Sequence, residues 1–109
     1  MVGQALVRRL AAEDVTAVAG DENDGDLRDP AALDRVFSAV RPQQVIVVAG
    51  KEAGIAGNQQ QPAELMLDNL LVATVVISTA WRHGVEKLLY LASSCTYPKY
   101  APQPLKVES

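Results

Sequence analysis

At 109 residues, the chain has room for one hydrophobic core and a single domain, 1–109. Its 49% apolar and 21% charged residues exclude an intrinsically disordered segment. A net charge of −3, with no block of Lys or Arg, argues against a nucleic acid or an anionic membrane as partner.

Apolar positions Val2, Leu6 and Leu10 line one face and predict a helix over 1–12. Its charges, Arg8 and Arg9, follow the apolar residues, the reverse of a secretory leader. Glu13-Asp14 ends the helix, and Val15 to Ala19 reads as a short strand. Gly20 to Asp26 is acidic and glycine-containing, a loop by composition. It lacks the glutamate of a calcium-binding EF-hand loop, so a solvated loop is expected and no metal. Asp29-Pro30 is a helix start, an N-cap acceptor followed by proline at the first helical position. Leu33, Val36, Phe37 and Val40 would form that helix's buried stripe, and Pro42 would stop it. The β-branched run Val45-Ile46-Val47-Val48 has the signature of a strand covered on both faces.

Gly50 to Gln61 has no apolar period and reads as a loop. Pro62 then opens a long helix to about His83, with Gly84 as its C-terminal cap. The longest apolar run inside it, Leu70 to Ile77 with Thr74 interrupting, falls short of the roughly 20 residues of a membrane span, so a soluble protein is expected. Val85 to Ala92 is the next buried strand, and the proline-containing tail 96–109 is irregular. Strands alternating with helices imply right-handed βαβ units. The fold class is α/β, a doubly wound, Rossmann-like parallel sheet.

The strand Val85 to Ala92 ends in Ser93-Ser94-Cys95-Thr96, hydroxyls and a thiol at a strand's carboxyl end, where open α/β sheets bind ligands. Cys95 is the only cysteine, which excludes an intrachain disulfide and suits the cytoplasm. Read on their own, Ser93 is a strand-end cap and Cys95 a small buried filler. His83 reads as a cation at a helix C-terminus, complementing the helix dipole.

An ordered set of short motifs resembles the GDP-L-fucose synthases of the extended short-chain dehydrogenase/reductase (NAD-dependent epimerase/dehydratase) family. The set is Met1-Val2-Gly3, Asp26-Leu27 with Asp29, Val48 to Ile55, Asn58, Pro62-Ala63-Glu64, Asn69, Lys87-Leu88-Leu89, Ser93-Ser94-Cys95, Tyr97-Pro98-Lys99 and Ala101 to Pro104. The resemblance implies that Ser93 and Cys95 are catalytic. Ser93 would hydrogen-bond the reacting sugar oxygen, and Cys95 would act in acid–base steps of epimerisation. It also implies that Gly3 is the last glycine of a dinucleotide loop, allowing close helix–strand packing, and that Asp26-Leu27 closes over the adenine. Ala49, Gly50 and Lys51 would touch the cofactor's ribose and diphosphate.

Two parts of the family pattern are missing. Only Gly3 remains of the G-x-x-G-x-x-G loop, and the positions four after Tyr90, Tyr97 and Tyr100 hold Ser94, Ala101 and Pro104, so no Tyr-x-x-x-Lys pair exists. The chain is therefore expected to be cut at both ends, lacking the first strand and the C-terminal substrate lobe, and inactive by itself. The cofactor implied is NAD or NADP, with the possibility that this chain binds none. Asp21, Glu22 and Asp24 stand where NADP-dependent members carry arginine, which favours NAD. The implied partners are a nucleotide sugar in a complete enzyme and a second copy of the chain, in a homodimer or larger assembly. The competing reading is a non-catalytic Rossmann-like relic that serves as an interaction or assembly module.

Overall fold

The computed structural model describes residues 2–20, 25–48, 61–93 and 97–109. Helix α1 covers Val2–Ala12 and buries none of its residues. Its last turn is closed by Glu13, whose N–H is shared between the Arg9 and Leu10 carbonyls and whose carboxylate takes Arg9 Nη2 at 2.7 Å.

The strand expected over Val15–Ala19 does not form. Val15 and Val18 are 57% and 67% exposed, and no described strand pairs with this segment. Extended backbone gains little without a ladder partner, so β-propensity alone leaves it irregular.

Helix α2 covers Pro30–Val40. Asp29 caps it from an extended conformation, its Oδ1 accepting from the Ala31 N–H at 3.0 Å. Ala32, Leu33 and Phe37 are buried, whereas Val40, expected in the same stripe, lies at the helix end and is exposed. Arg41 leaves the helix left-handed at φ 51°, its N–H bonded to the Phe37 carbonyl at 2.8 Å, and Pro42 forbids a further turn.

Strands β1 (Gln44–Val47) and β2 (Lys87–Tyr90) form a two-stranded parallel sheet in the register Gln44↔Lys87 to Val47↔Tyr90. Val45, Val47, Leu88 and Tyr90 point to the packed face. The opposite face is open: Ile46 is 37% and its partner Leu89 49% exposed. Coverage on both faces, expected from the β-branched run, is thus corrected to coverage on one. The run is too short to reveal which side chains find a helix above them.

Helix α3 (Pro62–Arg82) is the longest described element. His83 caps it, its N–H bonded to the Thr79 carbonyl at 3.0 Å, and Gly84 follows at φ 69°, a left-handed turn that glycine makes without strain. Leu65, Val75, Val76, Thr79 and Ala80 are buried. By length and composition alone α3 could cross a membrane, yet this stripe packs into the core and Asp68 on it is ion-paired. The core joins Leu33 and Phe37 of α2, Val47 of β1, and Val75, Val76 and Ala80 of α3.

A polar clasp reinforces the α2–α3 seam. Asp34 accepts from Arg82 Nη1 at 3.1 Å and meets His83 Nε2 at 3.1 Å, while the His83 ring lies 5.6 Å from Phe37. His83, read from the sequence as a helix-dipole cation alone, also ties two helices together. Its bond, followed by that of Arg82, holds the Asp34 carboxyl below the usual carboxylate range.

Candidate functional site

Parallel pairing sends the carboxyl ends of β1 and β2 to the same edge of the sheet, and the Leu91 N–H extends the ladder to the Val47 carbonyl at 3.0 Å. Val48 continues from β1 at that edge, and Ser93 stands three residues beyond Tyr90 of β2, exposed and with its own polar partner. Ligands of open α/β sheets bind at such an edge.

Gly3 reaches this edge from α1. A β-carbon there would lie 3.2 Å from Val48 Cγ2, tighter than ordinary contact, so a side chain at this position would require the Val48 methyl to shift by a few tenths of an ångström. The first N–H groups of a helix have no intrahelical partner, which gives this turn the donors an anionic group needs.

Asp26 and Leu27 come from the turn before α2. Gly25 enters it at φ 147°, with Ala32 Cβ 3.0 Å from where its β-carbon would be, so both conformation and space demand glycine. The Asp29 N–H bonds back to the Asp26 carbonyl at 2.9 Å. Leu27 packs on the core. Together with Val18–Gly20, Gly25, β1 and Val48 it borders a largely apolar groove of about 440 Å³ floored by α2. The structure therefore gathers Gly25, Leu27, α2 and the whole length of β1 around one groove, and Gly3 lies against Val48 where β1 ends.

The Asp26 side chain is held by Arg28 rather than left free. Oδ1 accepts from the Arg28 backbone N–H at 2.9 Å and from Nε at 3.0 Å, and Oδ2 accepts from Nη2 at 2.8 Å. The remaining guanidinium nitrogen, Nη1, donates to Asp68 Oδ1 on α3 at 2.7 Å. The paired hydrogen bonds to Arg28 lower the Asp26 carboxyl to about 2. Sequence reading singled out Asp26 and missed Arg28. An i, i+2 pair has no helical or strand periodicity, so only the turn's geometry reveals it.

Ala49, Gly50 and Lys51, Ser94 and Cys95, and the acidic trio Asp21, Glu22 and Asp24 lie outside the described residues. Tyr97 is half-buried, and Lys99 sits 5.4 Å over the ring of exposed Tyr100, a surface cation–π pair.

Among the described residues, the end of β1 thus carries one side of a largely apolar groove and the close approach of the α1 N-terminus at Gly3. Comparison with known proteins identifies the family. The NAD dependent epimerase/dehydratase family matches residues 1–109. A GDP-L-fucose synthase of Sinorhizobium fredii is 41% identical over 109 residues, 100% of this chain and 35% of that protein. GDP-L-fucose synthase 1 of Arabidopsis thaliana is 43% identical over 106 residues, covering 96% of this chain and 33% of that protein. Among solved structures, a GDP-D-glycero-L-gluco-heptose synthase of Campylobacter jejuni, determined in the presence of NADPH, superposes with a TM-score of 0.88 at 31% identity, covering 97% of this chain and 31% of that one. The chain thus spans about a third of the length of the relatives it matches, and it belongs to the NAD dependent epimerase/dehydratase family.

Proposed function

We propose that this chain is the partial NAD(P)-binding, Rossmann-like domain of a nucleotide-sugar epimerase/reductase that acts, when complete, on a GDP-4-keto-6-deoxy sugar. The observation that carries the reading is the groove along β1 and α2, which Gly25, Leu27 and Val48 border, together with Gly3 against Val48 at the end of that strand. It coincides with the motifs that resemble the cofactor-binding segments of GDP-L-fucose synthases. Asp26 and Leu27 flank the adenine in this reading, and Gly3 faces the diphosphate. By the same resemblance, Ala49, Gly50 and Lys51 contact the ribose and diphosphate. Ser93 orients the reacting sugar oxygen and Cys95 serves the epimerisation. The cofactor supplies hydride; these side chains bind, orient and hold protons.

By itself the chain is inactive, because no tyrosine is followed four residues later by lysine. Incubation with a GDP-4-keto-6-deoxy sugar and NADPH, followed by product analysis, is the test, and turnover above a buffer blank refutes it. Dinucleotide binding is no tighter than about millimolar, roughly −4 kcal/mol. NAD is preferred to NADP because of the carboxylates of Asp21, Glu22 and Asp24. The expected compartment is the cytoplasm.

A specific observation favours the second reading, an assembly module. Met66, Leu67, Leu70, Ile77 and Trp81 are exposed on α3, and Trp81 is 81% so. An uncovered apolar helix face of this length suits packing against a second copy. Coding sequence on either side separates the readings. A G-x-x-G-x-x-G upstream with Tyr-x-x-x-Lys downstream favours the enzyme, and the absence of both favours the module.

A further inference from the structure

The groove along β1 is also an unpaired strand edge. The Gln43 carbonyl accepts from the Glu86 N–H at 2.9 Å and the Val47 carbonyl from the Leu91 N–H at 3.0 Å, so alternate residues counted from Gln43 turn their backbone groups toward β2. Gln44, Ile46 and Val48 therefore turn theirs the other way, into the groove. None of the three has a backbone partner there among the described residues. The facing wall is Val18 to Gly20, which has no ladder partner either. The floor between them is apolar, made by Leu33, Val36 and Phe37 of α2 with Val76 of α3. Among the described residues that border the groove, none is charged.

Two unpaired walls facing each other across an apolar floor have a specific complement. Their amides and carbonyls call for acceptors and donors repeated at the spacing of a strand. A helix cannot supply them, because its backbone groups are bonded internally. A charged side chain over this floor would be desolvated with no counter-ion, so the occupant is uncharged where it lies in the groove. In an extended segment alternate side chains would rest on Leu33, Val36 and Phe37, and the others would emerge on the open face beside Ile46. We propose that the groove is a strand-docking site, which takes an extended, uncharged peptide segment with apolar side chains at alternate positions and adds it to the free edge of β1. The segment matches the wall from Gln44 to Val48, about 16 Å of extended chain. This goes beyond the nucleotide reading and stands without it, because the free edge and the floor run along all of β1, whereas the nucleotide motifs gather at its carboxyl end.

The experiment titrates the isotope-labelled chain with an acetylated, amidated peptide, Lys-Val-Thr-Ile-Thr-Val-Lys, whose terminal lysines lie beyond the groove and keep it soluble. The peptide should shift the amide resonances of Gln44, Ile46 and Val48 and those of Val18 to Gly20. It should also slow hydrogen exchange at the Ile46 amide at least about tenfold. The same peptide N-methylated at alternate residues keeps its side chains and loses its donors to one wall, and should bind at least about tenfold more weakly. Ile46→Pro removes a donor that faces the groove and spares the bonds to β2. It should weaken binding about three- to tenfold while the rest of the spectrum keeps its dispersion. Equal binding of the two peptides would mean apolar adhesion without strand pairing and overturns the proposal. So does Ile46 exchange that the peptide leaves unchanged. Exchange at Ile46 that slows with protein concentration alone, and that the peptide cannot alter, would give the groove to a second copy and overturns it as well.

Discussion

The two halves of the chain follow the same α/β grammar and reach different ends. From Leu27 to Ala92 the elements close on one another: α2 and α3 lie on one face of the β1–β2 pair, and every buried side chain of the hydrophobic cluster comes from this layer. From Val2 to Gly20 an amphipathic helix and a β-branched segment stand together with no buried residue between them. The difference is not mainly in propensity, although Val15 to Ala19 has two alanines among its five residues and Val45 to Val48 has none. It lies in whether a ladder partner is present. Secondary structure that cannot bury its face is left open.

Substitutions that probe each half should differ several-fold in cost. Phe37→Ala removes a buried ring shared by α2, the core and His83, and should destabilise the layer by about 3–5 kcal/mol, enough to unfold a marginal domain. Leu6→Ala on α1 should change the same denaturant midpoint by no more than about 0.5 kcal/mol. Equal losses for the two would erase the distinction between the halves.

The next largest effect concerns association. If the exposed face of α3 packs against a second copy, Leu70→Glu should weaken self-association at least about tenfold by placing a charge in an apolar contact, while Val18→Ser leaves it unchanged. Light scattering at micromolar concentration reads both. Association lost with Val18→Ser and kept with Leu70→Glu would move the contact to the open edge beside 15–20. A single-chain mass that does not change on dilution would remove it from both.

Smaller effects should appear in acid. Asp26 has its folded value lowered from 3.8 to about 2. Its contribution is therefore present above the unfolded value, near pH 4, and is lost as pH falls through about 2. Asp34 is lowered too, first by His83 and then by Arg82, and acts in the same direction. Arg28→Ala should return the Asp26 carboxyl resonance to an ordinary carboxylate titration, and His83→Ala should raise that of Asp34. Acid unfolding of either variant should begin at higher pH than in the parent chain. An Asp26 titration that does not move in Arg28→Ala would mean that the fork is not formed in solution.

What the sequence disclosed follows the range of the interaction. Asp29-Pro30, Pro42, Pro62 and Gly84 act within a few residues, and each starts or stops a helix where its chemistry requires. That Val45 to Val47 and Leu88 to Tyr90 are strands of a parallel sheet was legible from apolar runs that alternate with helical patterns. What the sequence could not disclose depends on partners far along the chain. Val15 to Ala19 has strand chemistry and nothing to pair with. Ile46 has core chemistry and an open face above it. His83 meets Asp34 across 49 residues. At the candidate site the resemblance pointed to Asp26 and Leu27, yet the side chain that orients Asp26 is Arg28, which is legible only from the turn.

The left-handed turn at Gly84 has a consequence in handedness. Its φ is 69°, and a β-carbon built on it would meet nothing within 4 Å, so the position rejects an ordinary side chain through backbone chirality alone. An L-alanine there should cost about 1 kcal/mol. A D-alanine, for which the same φ is relaxed, should stabilise the chain by about 0.4–1 kcal/mol by narrowing the freedom of the unfolded state. Chemical synthesis of the two mirror-related variants would thus make the end of α3 a place where stability is set by stereochemistry, with packing and charge held constant.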